Sequence, residues 1–234
     1  EPSKPEKPAE KPKDKPKLPE KKPEPATPAI DVKALLKGYG NQTKREIESQ
    51  KQTPEGTIGQ NHYLTSAVFG AMGYASAAAA NDRSSDREFF KVVDYVLKHQ
   101  AQDGGIPEEF NDPPIVQGRF MMTGNALVAF NWAAAHSKDP KYRQAAQRAI
   151  AWMAGNEPVS TQDLVFKIVA VNRYGNAEQK RAAWSLVEKL AAQQEQDGGW
   201  KEAPTEEGSN AFATGQVLHA FKQGGGLPGF VGVS

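Results

Sequence analysis

The chain has 234 residues and no cysteine, and its 29 Lys and Arg nearly balance 28 Asp and Glu. Disulfides, thiolate catalysis and cysteine metal sites are therefore excluded, and a net charge of +1 argues against a basic groove for nucleic acid. No apolar run is long enough to span a bilayer; the richest, Tyr63 to Ala80, is broken by Gly70 and Gly73 and reads as a buried helix.

Residues 1–28 are almost entirely Pro, Lys and Glu, with Leu18 the one large apolar side chain. Such a segment buries nothing against the entropy of ordering it, so it is expected to be a disordered arm. Frequent proline favours polyproline II, and at about 3.1 Å per residue the arm would reach roughly 80–90 Å. It resembles the periplasm-spanning segment of TonB-like proteins, which implies a tether; a plain interdomain linker is the alternative. The chain opens on Glu1, not methionine. An upstream segment removed by processing, such as a signal peptide or membrane anchor, is one expectation, and an expression boundary is the other.

Residues 29–234 are expected to form one all-α body of four two-helix repeats. The outer helices are predicted near 31–52 (irregular), 85–99, 139–154 and 176–195, and the inner ones near 61–80, 121–136, 160–173 and 210–222. Apolar stripes at helical spacing mark three outer helices: Phe89, Val93, Val96 and Leu97; Tyr142, Ala146, Ala149, Ile150 and Met153; Ala183, Leu186, Val187, Leu190 and Ala191. Ser160 and Asn176 stand where N-caps belong. Trp132, Trp152 and Trp184 fall within helices and are expected in the core. The inner helices are richer in Ala, Gly and Ser, as suits helices crowded toward an axis.

The repeat itself is legible in His99-Gln100-Ala101-Gln102-Asp103-Gly104-Gly105-Ile106 and in Gln193-Gln194-Glu195-Gln196-Asp197-Gly198-Gly199-Trp200. Asp-Gly-Gly is expected to stop each outer helix, because glycine adopts positive φ without a Cβ penalty. Each copy leads through a polar loop to a Thr-Gly helix start, at Thr123-Gly124 and at Thr214-Gly215. A weaker copy runs from Gln50 through Ile58 to Thr65, and a fourth unit keeps only the helices.

Gln-Asp-Gly-Gly-Trp after an amphipathic helix resembles the QW-type repeats of squalene and oxidosqualene cyclases and of prenyltransferase β-subunits. The resemblance implies an α/α toroid, here open or partial because four hairpins are fewer than the family's six or so. It makes Gln102, Asp103, Gly104 and Gly105, and Gln196, Asp197, Gly198, Gly199 and Trp200, structural: the glutamine ties helix ends and the aromatic stacks on it. The catalytic motifs do not follow. There is no DxDD acid, no cysteine for a prenyltransferase zinc site and no Cys-Gly-Glu-Gln thioester.

In such folds the cavity is lined by inner-helix N-termini, where free amides and the helix dipole favour acidic groups of a ligand. The candidate lining is His62, Tyr63, Glu108, Glu109, Arg119, Asn125, Asp163, Lys167, Asn210 and Gln216. For a lyase-type reaction on a polysaccharide, Arg119, Lys167 or Tyr63 is the candidate base, with Glu108 or Asp163 neutralising charge or binding a cation. The plainer reading is solvated loop charges, with Asp163 a stabilising first-turn carboxylate. The four histidines have no metal-ligand spacing, and neither metal nor cofactor is expected. The leading expectation is a non-catalytic binding or scaffolding domain of the cell envelope, periplasmic or surface-exposed. Its partner would be another subunit, or a second copy that completes the arc. A polysaccharide ligand, and a lipid or isoprenoid in a tunnel lined by Phe69, Met72, Phe130 and Trp132, are the alternatives.

Overall fold

The computed structural model describes residues 63–77, 86–108 and 118–223, all within one compact unit of the chain. Among them every regular element is an α-helix: α1 Tyr63–Ala77, α2 Asp86–Lys98, α3 Arg119–His136, α4 Pro140–Gly155, α5 Thr161–Tyr174, α6 Ala177–Ala191 and α7 Ala211–Gln223. The first expected outer helix, the arm, and residues His62 and Glu109 lie outside the described residues.

The odd-numbered helices follow one another in space: α1 packs on α3, α3 on α5, and α5 on α7. The even-numbered helices flank that row. α2 lies against α1 and α3, α4 against α3 and α5, and α6 against α5. This alternation follows from composition. α2 buries only the stripe Phe89, Val93 and Val96, whereas α3 buries most of its circumference, including Phe120, Met122, Leu127, Phe130 and Ala133. A helix apolar nearly all round must be covered on several sides.

Local chemistry sets the helix ends. Ser160 accepts from the Asp163 amide while the Asp163 carboxylate accepts from the Ser160 amide, a reciprocal capping box. Asn176 and Gln179 repeat the device at α6. Asp139 caps α4, with Pro140 at the first helical position, where its missing N–H costs nothing.

The apolar side chains form two clusters. The larger joins α1 to α4, with Tyr74, Phe89, Phe90 and Trp132 in edge and stacked contact at ring separations of 4.6–6.1 Å. The smaller joins α5, α6 and α7 around Ile168, Leu190, Trp200 and Phe221. Trp132 and Trp152 are core residues as expected. Trp184 is not: it stands 36% exposed on α6, because the stripe Ala183, Val187 and Leu190 takes the buried side.

Candidate functional site

The two Asp-Gly-Gly turns are superimposable in their hydrogen bonds. In the first, Ala101 N donates to Gly105 O at 2.9 Å, and Gly105 N donates to Asp103 Oδ1 at 3.0 Å. In the second, Glu195 N donates to Gly199 O at 2.8 Å and Gly199 N to Asp197 Oδ1 at 3.0 Å. Gly104 and Gly198 carry φ of 95° and 85°, the left-handed region that a turn of this sense requires.

Each turn is then clamped to the next inner helix. Ile106 N donates to Thr123 Oγ1 at 2.9 Å, and Trp200 N to Thr214 Oγ1 at 3.0 Å. The Thr of Thr-Gly is thus the acceptor that aims the post-turn loop at an inner-helix head. The glutamine that ties the turn is not the expected one. Gln100 and Gln194 donate to Gly104 O and Gly198 O, while Gln102 and Gln196 point to solvent. The Trp200 indole donates to Leu190 O at 2.6 Å and its ring meets Phe221, so it closes the end of α6.

The predicted site residues separate into bound and open groups. Arg119, first residue of α3, turns back on the preceding turn: its Nη2 lies 2.8 Å from both Asp103 oxygens, and its guanidinium covers Trp152 at 4.7 Å. Arg119 and then the Gly105 amide hold the Asp103 carboxyl below its ordinary range. Asp163 spends its carboxylate on the Val159 and Ser160 amides. Lys167 donates to Asn156 O at 2.7 Å, closing the end of α4, and burial lowers its pKa. Asn210 caps α7 by accepting from Ala213 N at 2.7 Å. Asn125 is buried in α3, Glu108 is exposed, and Tyr63 begins α1 with its side chain outside the description. No hydrogen bond or ion pair among the described residues joins Arg119 to Glu108 or Asp163.

His99 and His136 each place Nδ1 within 2.9 Å of a carbonyl four residues back, at the C-terminal ends of α2 and α3. No group of three His, Asp or Glu among the described residues could hold a metal ion. Phe130 and Trp132 pack in the larger core cluster. A cleft of about 310 Å³ between α3, α4 and α5, lined by Leu127, Asn131, Arg143, Ile150 and Tyr174, touches none of the candidate residues.

The polar atoms that remain unsatisfied are informative. Among the described residues, Arg119 Nε, Gln162 Nε2, Glu202 Oε1 and Gln216 Oε1 are buried without a hydrogen-bond partner. All four belong to the first two turns of an inner helix or to the loop leading into one. The buried polar side chains Thr65, Thr123, Asn125, Thr161, Gln162 and Asp163 share this location, in the first two turns of α1, α3 and α5. Unpaired buried polar atoms are costly and uncommon.

Glu202 and Gln162 are the residues that sequence reasoning missed. Glu202 is 4% exposed, and its carbonyl accepts from Thr161 N at 3.0 Å, which docks the 201–209 loop on the head of α5. Burial, then the neighbouring Glu206 carboxylate, push its pKa up. One signal was available: Glu202 stands five residues after Asp197, as Glu108 stands five after Asp103.

No protein-family model matches the chain, and no curated protein matches it either.

Proposed function

We propose that the helical body is a non-catalytic binding domain of the bacterial cell envelope, an open arc of α/α-toroid repeats held off a surface by the Pro/Lys/Glu arm. Its ligand is a hydroxyl-rich polymer, a polysaccharide, bound at the inner-helix heads around α5 and α7. The observation that carries this reading is the set of unpartnered buried atoms Gln162 Nε2, Glu202 Oε1 and Gln216 Oε1. Two belong to carboxamides and one to a carboxyl, groups that both give and accept hydrogen bonds, and a row of sugar hydroxyls answers them as an alkyl chain does not. The binding reading is favoured over catalysis because Arg119 and Asp163 are already committed to structural bonds.

One observation favours a second reading. Glu202 is a buried carboxyl held toward its protonated form, the condition for a general acid in a polysaccharide-cleaving enzyme. A single experiment addresses both. Soluble neutral and uronic-acid polysaccharides are titrated calorimetrically into the full chain, and the mixtures are then assayed for new reducing or unsaturated ends. Binding without cleavage is expected, with Gln162→Ala and Glu202→Ala each weakening affinity about tenfold, equivalent to about 1.4 kcal/mol. Cleavage that Glu202→Gln abolishes would transfer the assignment to the enzyme. No heat with any polysaccharide would overturn both readings.

A further inference from the structure

We infer that the cleft between α3, α4 and α5 is a binding site for a small aromatic carboxylate, separate from the inner-helix heads. The cleft runs along α3 from Leu127 to Ala135 and along α4 from Arg143 to Ile150, and it takes in Tyr174, the last residue of α5. Its volume of about 310 Å³ falls at the lower end of the range for small-molecule sites, about 300–1,000 Å³.

Helical spacing brings the lining together. Leu127, Asn131 and Ala134 share one face of α3, and Arg143, Gln147 and Ile150 share one face of α4. Leu127 and Ala146 are buried and Ile150 is half-buried, so the floor is apolar. The hollow exists because the side chains at 134, 135 and 146 are alanine and stop at Cβ. What remains is a small apolar slot between two rigid helices. A planar ring fits it better than a flexible chain, whose rotors would have to be frozen on binding.

The polar groups at the rim select an anion. Arg143 and Gln147, one turn apart on α4, are exposed, and neither makes a hydrogen bond or ion pair among the described residues. The Tyr174 hydroxyl is also unpaired there, and burial raises its pKa, so it remains a donor. Arg173 holds a second guanidinium 5.2 Å from the centre of the Tyr174 ring. No aspartate or glutamate lines the cleft. Lys141, two residues before Arg143, shows the contrast: it is bridged to both Asp94 and Asp139. The chain neutralises that cation and leaves Arg143 open. A free guanidinium fork beside two further donors is complementary to a carboxylate, which can take the fork with both oxygens.

Calorimetric titration of phenylacetate into the full chain, with amide chemical-shift mapping, tests this. Saturable binding with a Kd of about 0.1–1 mM is expected for a ligand of this size, with shifts at Asn131, Ala135, Arg143 and Gln147. Phenethyl alcohol keeps the ring without the charge and acetate keeps the charge without the ring; each should bind about tenfold more weakly or worse. Arg143→Gln should weaken phenylacetate by a similar factor, and Ala135→Leu should block the slot. Both positions are exposed, so helicity and melting stay unchanged. Absence of saturable phenylacetate binding overturns the inference. So does binding that Arg143→Gln leaves intact, or shifts confined to the heads of α5 and α7.

Discussion

Arg119 reaches back across the turn to Asp103, placing one guanidinium nitrogen 2.8 Å from both carboxylate oxygens while the rest of the group lies on Trp152. The Trp152 indole donates to the same carboxylate at 3.2 Å, so side chains from α3 and α4 meet on the one anion of the turn. Arg119→Ala is expected to cost about 1 kcal/mol, half-exposed pairs and cation–π contacts each being worth that or less. Lysine at 119 should restore it only in part, because an ammonium keeps the charge but lacks the planar group that covers Trp152. Urea unfolding of Arg119→Ala, Asp103→Asn and the double variant measures the coupling. Asp103 has its folded pKa lowered. The coupling should therefore be complete above about pH 4 and disappear as pH falls through the depressed folded value.

The two turn glycines should respond differently to the same substitution. Both have positive φ, so alanine is strained at either site by about 1–2 kcal/mol. At Gly104 the new Cβ would also stand 2.5 Å from the Arg148 carbonyl oxygen, and backbone cannot yield as a side chain does. At Gly198 the nearest atom is 3.9 Å away. Gly104→Ala is thus expected to be the more destabilising by about 1 kcal/mol or more, read as a difference in urea midpoint at unchanged m value.

Thr123 and Thr214 offer a second paired comparison. Thr123→Val keeps the shape but removes the acceptor of the buried Ile106 amide, at an expected cost of about 1–3 kcal/mol. Thr123→Ser should recover most of it. Thr214 is only half-buried, so the bare Trp200 amide regains water more easily and the loss there should be smaller. Thermal unfolding of Thr123→Val, Thr123→Ser and Thr214→Val ranks them.

Among the described residues, the order and approximate ends of the helices were legible because hydrophobic spacing and capping are local. Phe89, Val93 and Val96, or Ser160 with Asp163, lie within one or two turns of each other. The turn was legible as a duplicated string, but the identity of its glutamine was not. Both copies carry glutamine one and three residues before the aspartate, and only the path of the chain leaving the helix decides that Gln100 and Gln194 face the turn carbonyl. Which candidate side chains the fold already uses was not legible either, for a related reason. Nothing near Arg119 in sequence reveals that it bends back 16 positions to Asp103. Nothing near Glu202 reveals that the head of α5, some 40 positions earlier, covers it. Long-range docking determines which polar residues are committed and which are left open.

Glu202 is where that docking has a measurable electrostatic consequence. Burial, then Glu206, raise its folded pKa, with Asn210 offsetting part of the rise. A raised carboxyl pKa penalises the folded state wherever the group is ionised, so the penalty is full above the folded pKa. It fades as pH falls through that value and is gone below the ordinary value of 4.5. Glu202→Gln removes the titration and keeps the shape. The variant should therefore be more stable than the parent near pH 7 by about 1 kcal/mol, or about 2–4 °C in melting temperature. The two chains should converge by about pH 4, where the parent's carboxyl is protonated in both states. Urea melts at the two pH values measure the gap. A glutamine variant that is less stable at neutral pH would mean the carboxylate is favoured where it sits, and would remove the unpaired Glu202 oxygen from the proposed polysaccharide site.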